Sequence, residues 1–275
     1  PIKSSAASDV YKRQTLFTQM CGGVLNESIV GRGIRNGFIE VHTHDIRKYT
    51  ENKHRRVDDK PYGGGTGMLM QAQPVYDCIS AIKSQGEGKP RIIYMSPQGE
   101  VLTQQKVQEL AQEPWLILLC GHYEGIDQRV LDELEVEELS VGNYVLTGGE
   151  LPALIVADAV ARLPGVLPNE DAYSIESHYN GLLEFPQYTR PEEWHGRRVP
   201  EVLLTGDHRT VTEWQNREAL RVTAKKRPDM YGKFIAEQHE RLWSAFLEDK
   251  DIPPETRCSG VVRFGKTADE ADRLA

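Results

Sequence analysis

The sequence predicts an α/β fold built on a mainly parallel sheet. Two observations point there: continuous apolar runs of strand length, and helix-like periodicity between them. RIIYM (91–95) and WLILLC (115–120) carry no polar alternation, as strands buried on both faces should not. Between and after them lie segments with the 3.6-residue period of helices packed on such a sheet. A third observation concerns function: glycines cluster immediately after these strands.

In chain order, the first fourteen residues, PIKSSAASDVYKRQ, show neither helical nor strand periodicity, and read as a disordered or foreign extension. Phe38, Ile39, Glu40 and Val41 read as a short strand. PVYDCISAIK opens with Pro74 at a helix start, and Val75, Cys78, Ile79 and Ile82 form one apolar stripe. RIIYM then ends in the turn Ser96, Pro97, Gln98, Gly99. Thr103 is placed to cap a helix carrying Val107, Leu110 and Ala111, which stops before Pro114. WLILLC leads directly into GHYEG (121–125), and another strand-like piece leads into VGNYVLTGG (141–149). Pro152 starts a largely apolar helix ending at Pro164, and residues 251–275 form a polar tail.

Composition narrows the function classes. The apolar runs are too short to span a bilayer, and no charged-then-apolar start marks a secretory signal. The four cysteines, Cys21, Cys78, Cys120 and Cys258, are scattered with no C-x-x-C pair. That spacing gives no zinc site or disulfide framework and fits a reducing, cytoplasmic setting. Net charge is −8, yet Lys53 to Arg56, Arg197 with Arg198, and the stretch 217–227 are locally basic. Arg217, Arg221 and Lys225 recur every four residues and share one helix face. Nucleic acid responds to such local fields, not to the average. The acidic run Asp132, Glu133, Glu135, Glu137, Glu138 lacks metal-ligand spacing and reads as solvated surface.

Each glycine loop taken singly is a tight turn. Three of them after three strands make a ligand site, because open α/β sheets bind ligands beyond the carboxyl ends of their strands. Glycine lets backbone N–H and C=O groups approach a ligand without an intervening Cβ. GGGTGM lacks the lysine of a phosphate-binding P-loop, no complete G-x-G-x-x-G follows a strand, and no G-x-S-x-G elbow accompanies a catalytic triad. A nucleotide-like ligand in an α/β domain, with basic patches nearby, is what spacing alone supports.

The strings HRRVDDKPYGGGTGM, YMSPQG, LCGHYEGID, SVGNYVLTGGELPA, PGVLPNE, GLLEFPQYTRP and VPEVLLTGDH occur in this order. Together they resemble the bacterial tRNA (guanine-N1)-methyltransferase family, over about residues 15–246. The resemblance implies a deep trefoil knot in a domain at 15–166, a linker at 167–187, and a small C-terminal helical domain at 188–250 that grips tRNA. It implies S-adenosylmethionine as methyl donor, guanine at position 37 as target, and a homodimer with its active site at the subunit interface. Family dependence on Mg²⁺ implies a divalent ion, although no metal-ligand spacing here supports a fixed site. Other readings are a non-catalytic tRNA- or S-adenosylmethionine-binding relative and a ribose 2′-O-methyltransferase.

Carried onto this sequence, the resemblance implies cofactor contacts at Tyr94, Ser96, Pro97, Gly121, Tyr123, Val141, Gly142, Asn143, Tyr144, Val145, Leu146, Gly148 and Gly149. Glu176 stands where the family has its catalytic Asp, followed by Ser177 on the substrate side; Asp171 is the alternative base. Arg162 matches the catalytic Arg, and Glu124 orients the guanine or the linker. His54, Arg55 and Arg56 would contact phosphates, and Asp58 would read the neighbouring guanine. At the start, TLFTQMC keeps part of the family's string, but the residues before it do not read as the family's edge strand.

Overall fold

The computed structural model describes residues 9–15, 18–163 and 176–248. Residues 1–8, the alternative base Asp171 and the expected tail at 251–275 lie outside them. The chain divides into two compact units, Pro1–Ala172 and Tyr173–Ala275.

The first unit begins with β1 (Asp9–Thr15), α1 (Thr18–Leu25), α2 (Ser28–Arg35) and β2 (Ile39–Asp45). A 3-10 turn, Ile46–Tyr49, leads to two short strands, β3 (Asp58–Asp59) and β4 (Leu69–Met70). There follow α3 (Ala72–Lys83), β5 (Arg91–Val101), α4 (Gln104–Leu110), β6 (Trp115–Leu119), α5 (Gln128–Glu133), β7 (Glu137–Ser140) and α6 (Glu150–Ala161). The five longer strands form one parallel sheet in the order β2-β1-β6-β5-β7.

The buried runs behave as their composition requires. In β6 every residue is buried. Leu116 and Leu118 enter a core with α1, α2 and α6, while Trp115, Ile117 and Leu119 enter the opposite one with α3 and α5. The stripe of α3, Val75, Cys78, Ile79 and Ile82, is wholly buried. Its Pro74 sits in the first turn, where a missing N–H costs nothing. The Thr103 hydroxyl caps α4, accepting from Lys106 N–H at 3.2 Å.

Three readings of the sequence need correcting. Residues 9–14 are no extension: β1 pairs with β2 on one side and β6 on the other, in the interior of the sheet. Its sequence, DVYKRQT, is polar, so the strand is recruited by its neighbours' pairing more than by its own propensity. Residues 96–99 do not end β5. The pairing with β7 skips between Met95 and Glu100 and then resumes at Glu100 and Val101, so SPQG is an irregularity inside one strand. The acidic run is not merely solvated: Glu137 bonds Arg91 at 2.8 Å and Lys106 at 3.3 Å, and Glu135 bonds Lys89 at 3.0 Å.

In the second unit, residues 176–187 are irregular but hydrogen-bonded to its helical part. A two-stranded hairpin, β8 (Glu193–Trp194) and β9 (Arg197–Arg198), carries one of the basic pairs. Within it Arg198 is engaged by Glu192 at 2.8 Å. Then come a 3-10 turn, Glu201–Leu204, and two helices, α7 (His208–Lys226) and α8 (Pro228–Glu248). Asp207 caps α7, accepting from Arg209 N–H at 3.1 Å. The later part of the expected linker thus belongs to this unit, because its backbone finds hydrogen-bond partners there.

Candidate cofactor cavity and active site

The irregular SPQG stretch inside β5 and the glycine loops after β6 and β7 meet around one cavity of about 270 Å³. Eleven of the thirteen residues expected to hold the cofactor line it: Tyr94, Ser96, Pro97, Gly121, Tyr123, Val141, Tyr144, Val145, Leu146, Gly148 and Gly149. Gly142 and Asn143 are not in its lining. Gly142 serves the Tyr144 ring instead, since a Cβ there would lie 2.5 Å from Tyr144 Cε1.

The walls are held main chain to main chain. Gly149 N–H donates to the Gly121 carbonyl at 2.8 Å, and His122 bridges to Gly148. A Cβ on Gly149 would stand 2.7 Å from Cys120 Cα and 2.9 Å from Gly121 N. A Cβ on Gly99 would stand 2.4 Å from the Glu138 and Leu139 backbone. Gly121 packs under the Tyr94 ring, where a Cβ would come within 2.7 Å of Cε2. Burial pushes the Tyr94 phenol up to about 12, with Glu138 adding to the shift, so the ring stays neutral at any working pH. Tyr123 adopts a left-handed backbone with φ +60, a strained conformation for a residue with a Cβ. Its ring meets His122 edge-on at 4.9 Å.

Sequence reasoning did not assign Met95, His122, Gly125, Leu139, Ser140, Thr147 or Pro152 to this cavity. Leu139 and Met95 look like ordinary core residues, and nothing local distinguishes them. Thr147 lay inside the VGNYVLTGG string and could have been read from it.

The segment 57–70 clips onto the same loops without lining the cavity. Glu124 N–H donates to the Met68 carbonyl at 3.0 Å, Met70 N–H to Gly125 at 3.0 Å, and Asp127 N–H to Met70 at 3.0 Å. At Gly67 (φ +108) a Cβ would lie 2.5 Å from Glu124 Oε1, so the glycine leaves room for that carboxylate. Asp58 stands half-buried in β3 opposite Met70, and His54, Arg55 and Arg56 are exposed just before it.

Within the first unit, Glu124 and Arg162 lie apart. Glu124 lines the cavity, whereas Arg162 ends α6, whose first residues border it. Twelve helical residues separate those ends, about 18 Å at 1.5 Å per residue, beyond the reach of an arginine side chain. Glu176 and Ser177 belong to the second unit. The Ser177 hydroxyl accepts the Glu184 N–H at 2.9 Å.

Comparison with known proteins agrees with this geometry. The family model described as "tRNA (Guanine-1)-methyltransferase TrmD" matches residues 11–233. A tRNA (guanine-N(1)-)-methyltransferase of Ruminiclostridium cellulolyticum is 54% identical over 220 residues, 80% of this chain and 94% of the relative. That of Lachnospira eligens is 49% identical over 229 residues, 83% and 97% of the two chains. That of Alkaliphilus oremlandii is 46% identical over 247 residues, 88% and 99%. The match begins inside β1, which makes that strand part of the shared fold. With its glycine-walled cavity and this extent of shared sequence, the chain belongs to the tRNA (guanine-N1)-methyltransferase family.

Proposed function

We propose that this protein methylates N1 of guanine at position 37 of tRNA with S-adenosylmethionine, as a homodimer whose catalytic domain is knotted. The observation that carries the reading is the glycine-walled cavity formed by the irregular stretch of β5 and the loops after β6 and β7, in a chain of this family. The cavity suits the cofactor. The glycine-walled loops let main-chain groups approach a ligand, Leu139 and Pro152 offer apolar surface, and among the described residues no lysine or arginine lines the cavity to repel a sulfonium. When bound, S-adenosylmethionine supplies a methyl group that is already electrophilic.

The chain's own residues must then prepare the guanine. N1 carries a proton, so a base has to remove it within hydrogen-bond reach. Glu176 is that base: its carboxylate would take the N1 proton, which frees the N1 lone pair to accept the methyl group. Negative charge moving to O6 needs a cation, and Arg162 supplies it. Glu124, held between Met68 and the cavity, orients the base. His54 and Arg55 are exposed just before the segment clipped to Glu124, and Asp58 is half-buried within it; there they would meet the anticodon loop.

The distance along α6 supports the dimer. Leu151 and Ile155 are 45% and 46% exposed and share a face, and Met20 and Val24 of the adjacent α1 are 44% and 52% exposed. Arg162 follows Leu151 by eleven residues, about 20° from it around the helix, so it lies on that same apolar face. The reading requires that a second copy cover this face and bring its Arg162 to this cavity.

The test uses labelled S-adenosylmethionine and tRNA transcripts with or without guanine at position 37. N1-methylguanine should form only with the guanine-bearing transcript, and Glu176→Gln should slow transfer by about 10²–10⁴-fold while cofactor binding persists. Mixing inactive Arg162→Ala with inactive Glu124→Gln should restore part of the activity, through dimers holding one intact site. No restoration would refute the shared site.

A further inference from the structure

In the second unit, the only buried residues among those with described side chains are Leu182, 8% exposed, and a polar one, Thr223, 0% exposed. Thr223 lies in the interior of α7, where a threonine hydroxyl commonly turns back to the preceding helical turn. It does so here, donating to the Ala219 carbonyl at 2.7 Å. The same hydroxyl also accepts the Leu183 N–H at 2.8 Å, forty residues away in sequence.

That second bond ties α7 to a closed loop. Glu184, next to Leu183, donates its N–H to the Ser177 hydroxyl at 2.9 Å. His178 N–H donates to the Leu182 carbonyl at 2.8 Å, and Leu182 N–H to Asn180 Oδ1 at 3.2 Å. Residues 177–184 thus return on themselves, and Thr223 grips the neck of the loop from the helix. Gly181 (φ +84) rests near the Phe234 ring of α8, where a Cβ would be 3.6 Å from Cδ2. Phe185 lies edge-on to Trp214 of α7 at 6.4 Å. Glu176 is the residue immediately before this neck.

We propose that Thr223 is a positioning residue that holds the Glu176 carboxylate in register for proton abstraction. The proposal rests on the assignment of Glu176 as the base. A buried hydroxyl that donates one hydrogen bond and accepts another is a rigid connection, and removing it leaves the Leu183 N–H without this partner. Small displacements of a catalytic group are expensive: about 1 Å can slow a reaction a hundred-fold.

The discriminating experiment is a double-mutant cycle in the full chain, read as single-turnover methyl transfer. Thr223→Val, which keeps the volume, should slow transfer roughly ten- to hundred-fold. Affinities for S-adenosylmethionine and tRNA should stay within about two-fold of wild type, and Thr223→Ser should restore the rate. In the Glu176→Gln background Thr223→Val should add nothing, since both changes act through one carboxylate. An unchanged rate in Thr223→Val, a loss confined to tRNA affinity, or full additivity with Glu176→Gln overturns the proposal. Glu176→Gln with full turnover removes the base assignment and the proposal with it, and is told apart from the other failures by that single variant. Should Thr223→Val not fold, hydrogen exchange on the wild-type protein decides. The amides of His178, Leu183 and Glu184 should exchange as slowly as those of α7, and exchange at open-loop rates overturns the proposal.

Discussion

Gly149 shows how strongly one residue can be constrained by the space around it. Its Cβ would meet the Cα of Cys120 and the nitrogen of Gly121, both backbone atoms that cannot rotate away. Gly149→Ala is therefore expected to destabilise the fold by about 1–3 kcal/mol. It should also weaken S-adenosylmethionine binding more than ten-fold, measured by denaturant melts and calorimetric titration. Gly63, by contrast, has no atom near its would-be Cβ and needs glycine only for its φ of +85. Sequence reading could find both positions, because a glycine requirement is local and leaves a local mark. It could not find the Thr223 bond to Leu183, or the lining role of Leu139. The partners involved are remote in the chain, and the residue types are ordinary for a helix and a strand.

At the scale of elements, a network of ion pairs joins β5, α4 and β7. Arg91 reaches Glu109 at 2.7 Å, Glu113 at 3.3 Å and Glu137 at 2.7 Å, while Lys106 reaches Glu100, Glu109 and Glu137. Burial alone would pull the Arg91 guanidinium down, but Glu137 and Glu109 more than offset it and raise it above its ordinary value. The Arg91 hydrogen bond holds the Glu109 carboxyl below the usual carboxylate range. A carboxyl depressed in the folded state stabilises the fold above its unfolded pKa, and that contribution disappears as pH falls through the folded value. Acid should thus weaken the protein from the ordinary carboxylate range downward. Arg91→Met should flatten this slope and lower stability at neutral pH, by an amount reduced by solvent screening of its partly exposed partners, as urea melts at a series of pH values would measure. Glu137 pairs with a residue 46 positions earlier, which is why its run looked merely solvated in the sequence. RIIYM and WLILLC were legible as strands because burial on both faces writes itself into composition. DVYKRQT was not, because its place is set by β2 and β6 on either side.

Across the whole molecule, the two units are unequally equipped to stand alone. The first holds both large apolar clusters and the entire cavity lining. The second, among residues with described side chains, buries only Leu182 and Thr223. Residues 1–172 expressed alone should fold and bind the proposed donor, S-adenosylmethionine, with an affinity near that of the full chain, yet transfer no methyl group, since the proposed base Glu176 is missing. Residues 173–275 alone should show weak, non-cooperative melting, because the core formed by the described side chains of this unit is too small to offset the entropy of ordering the chain. Calorimetry on the two fragments would measure both outcomes, and cooperative melting of the second would contradict this picture.

The main-chain walls of the cavity also bear on how the site can change over time. Most point mutations alter side chains, and a wall made of N–H and C=O groups looks the same after them. At Gly121 and Gly149 a substitution would drive a Cβ into the Tyr94 ring or the backbone of residues 120 and 121, so the variants that would reshape the wall are those the fold tolerates least. An inhibitor that reads only backbone groups here would leave its target few viable routes to resistance. For the same reason, redesigning this pocket for a different donor would have to begin with the loops' paths and not with their side chains.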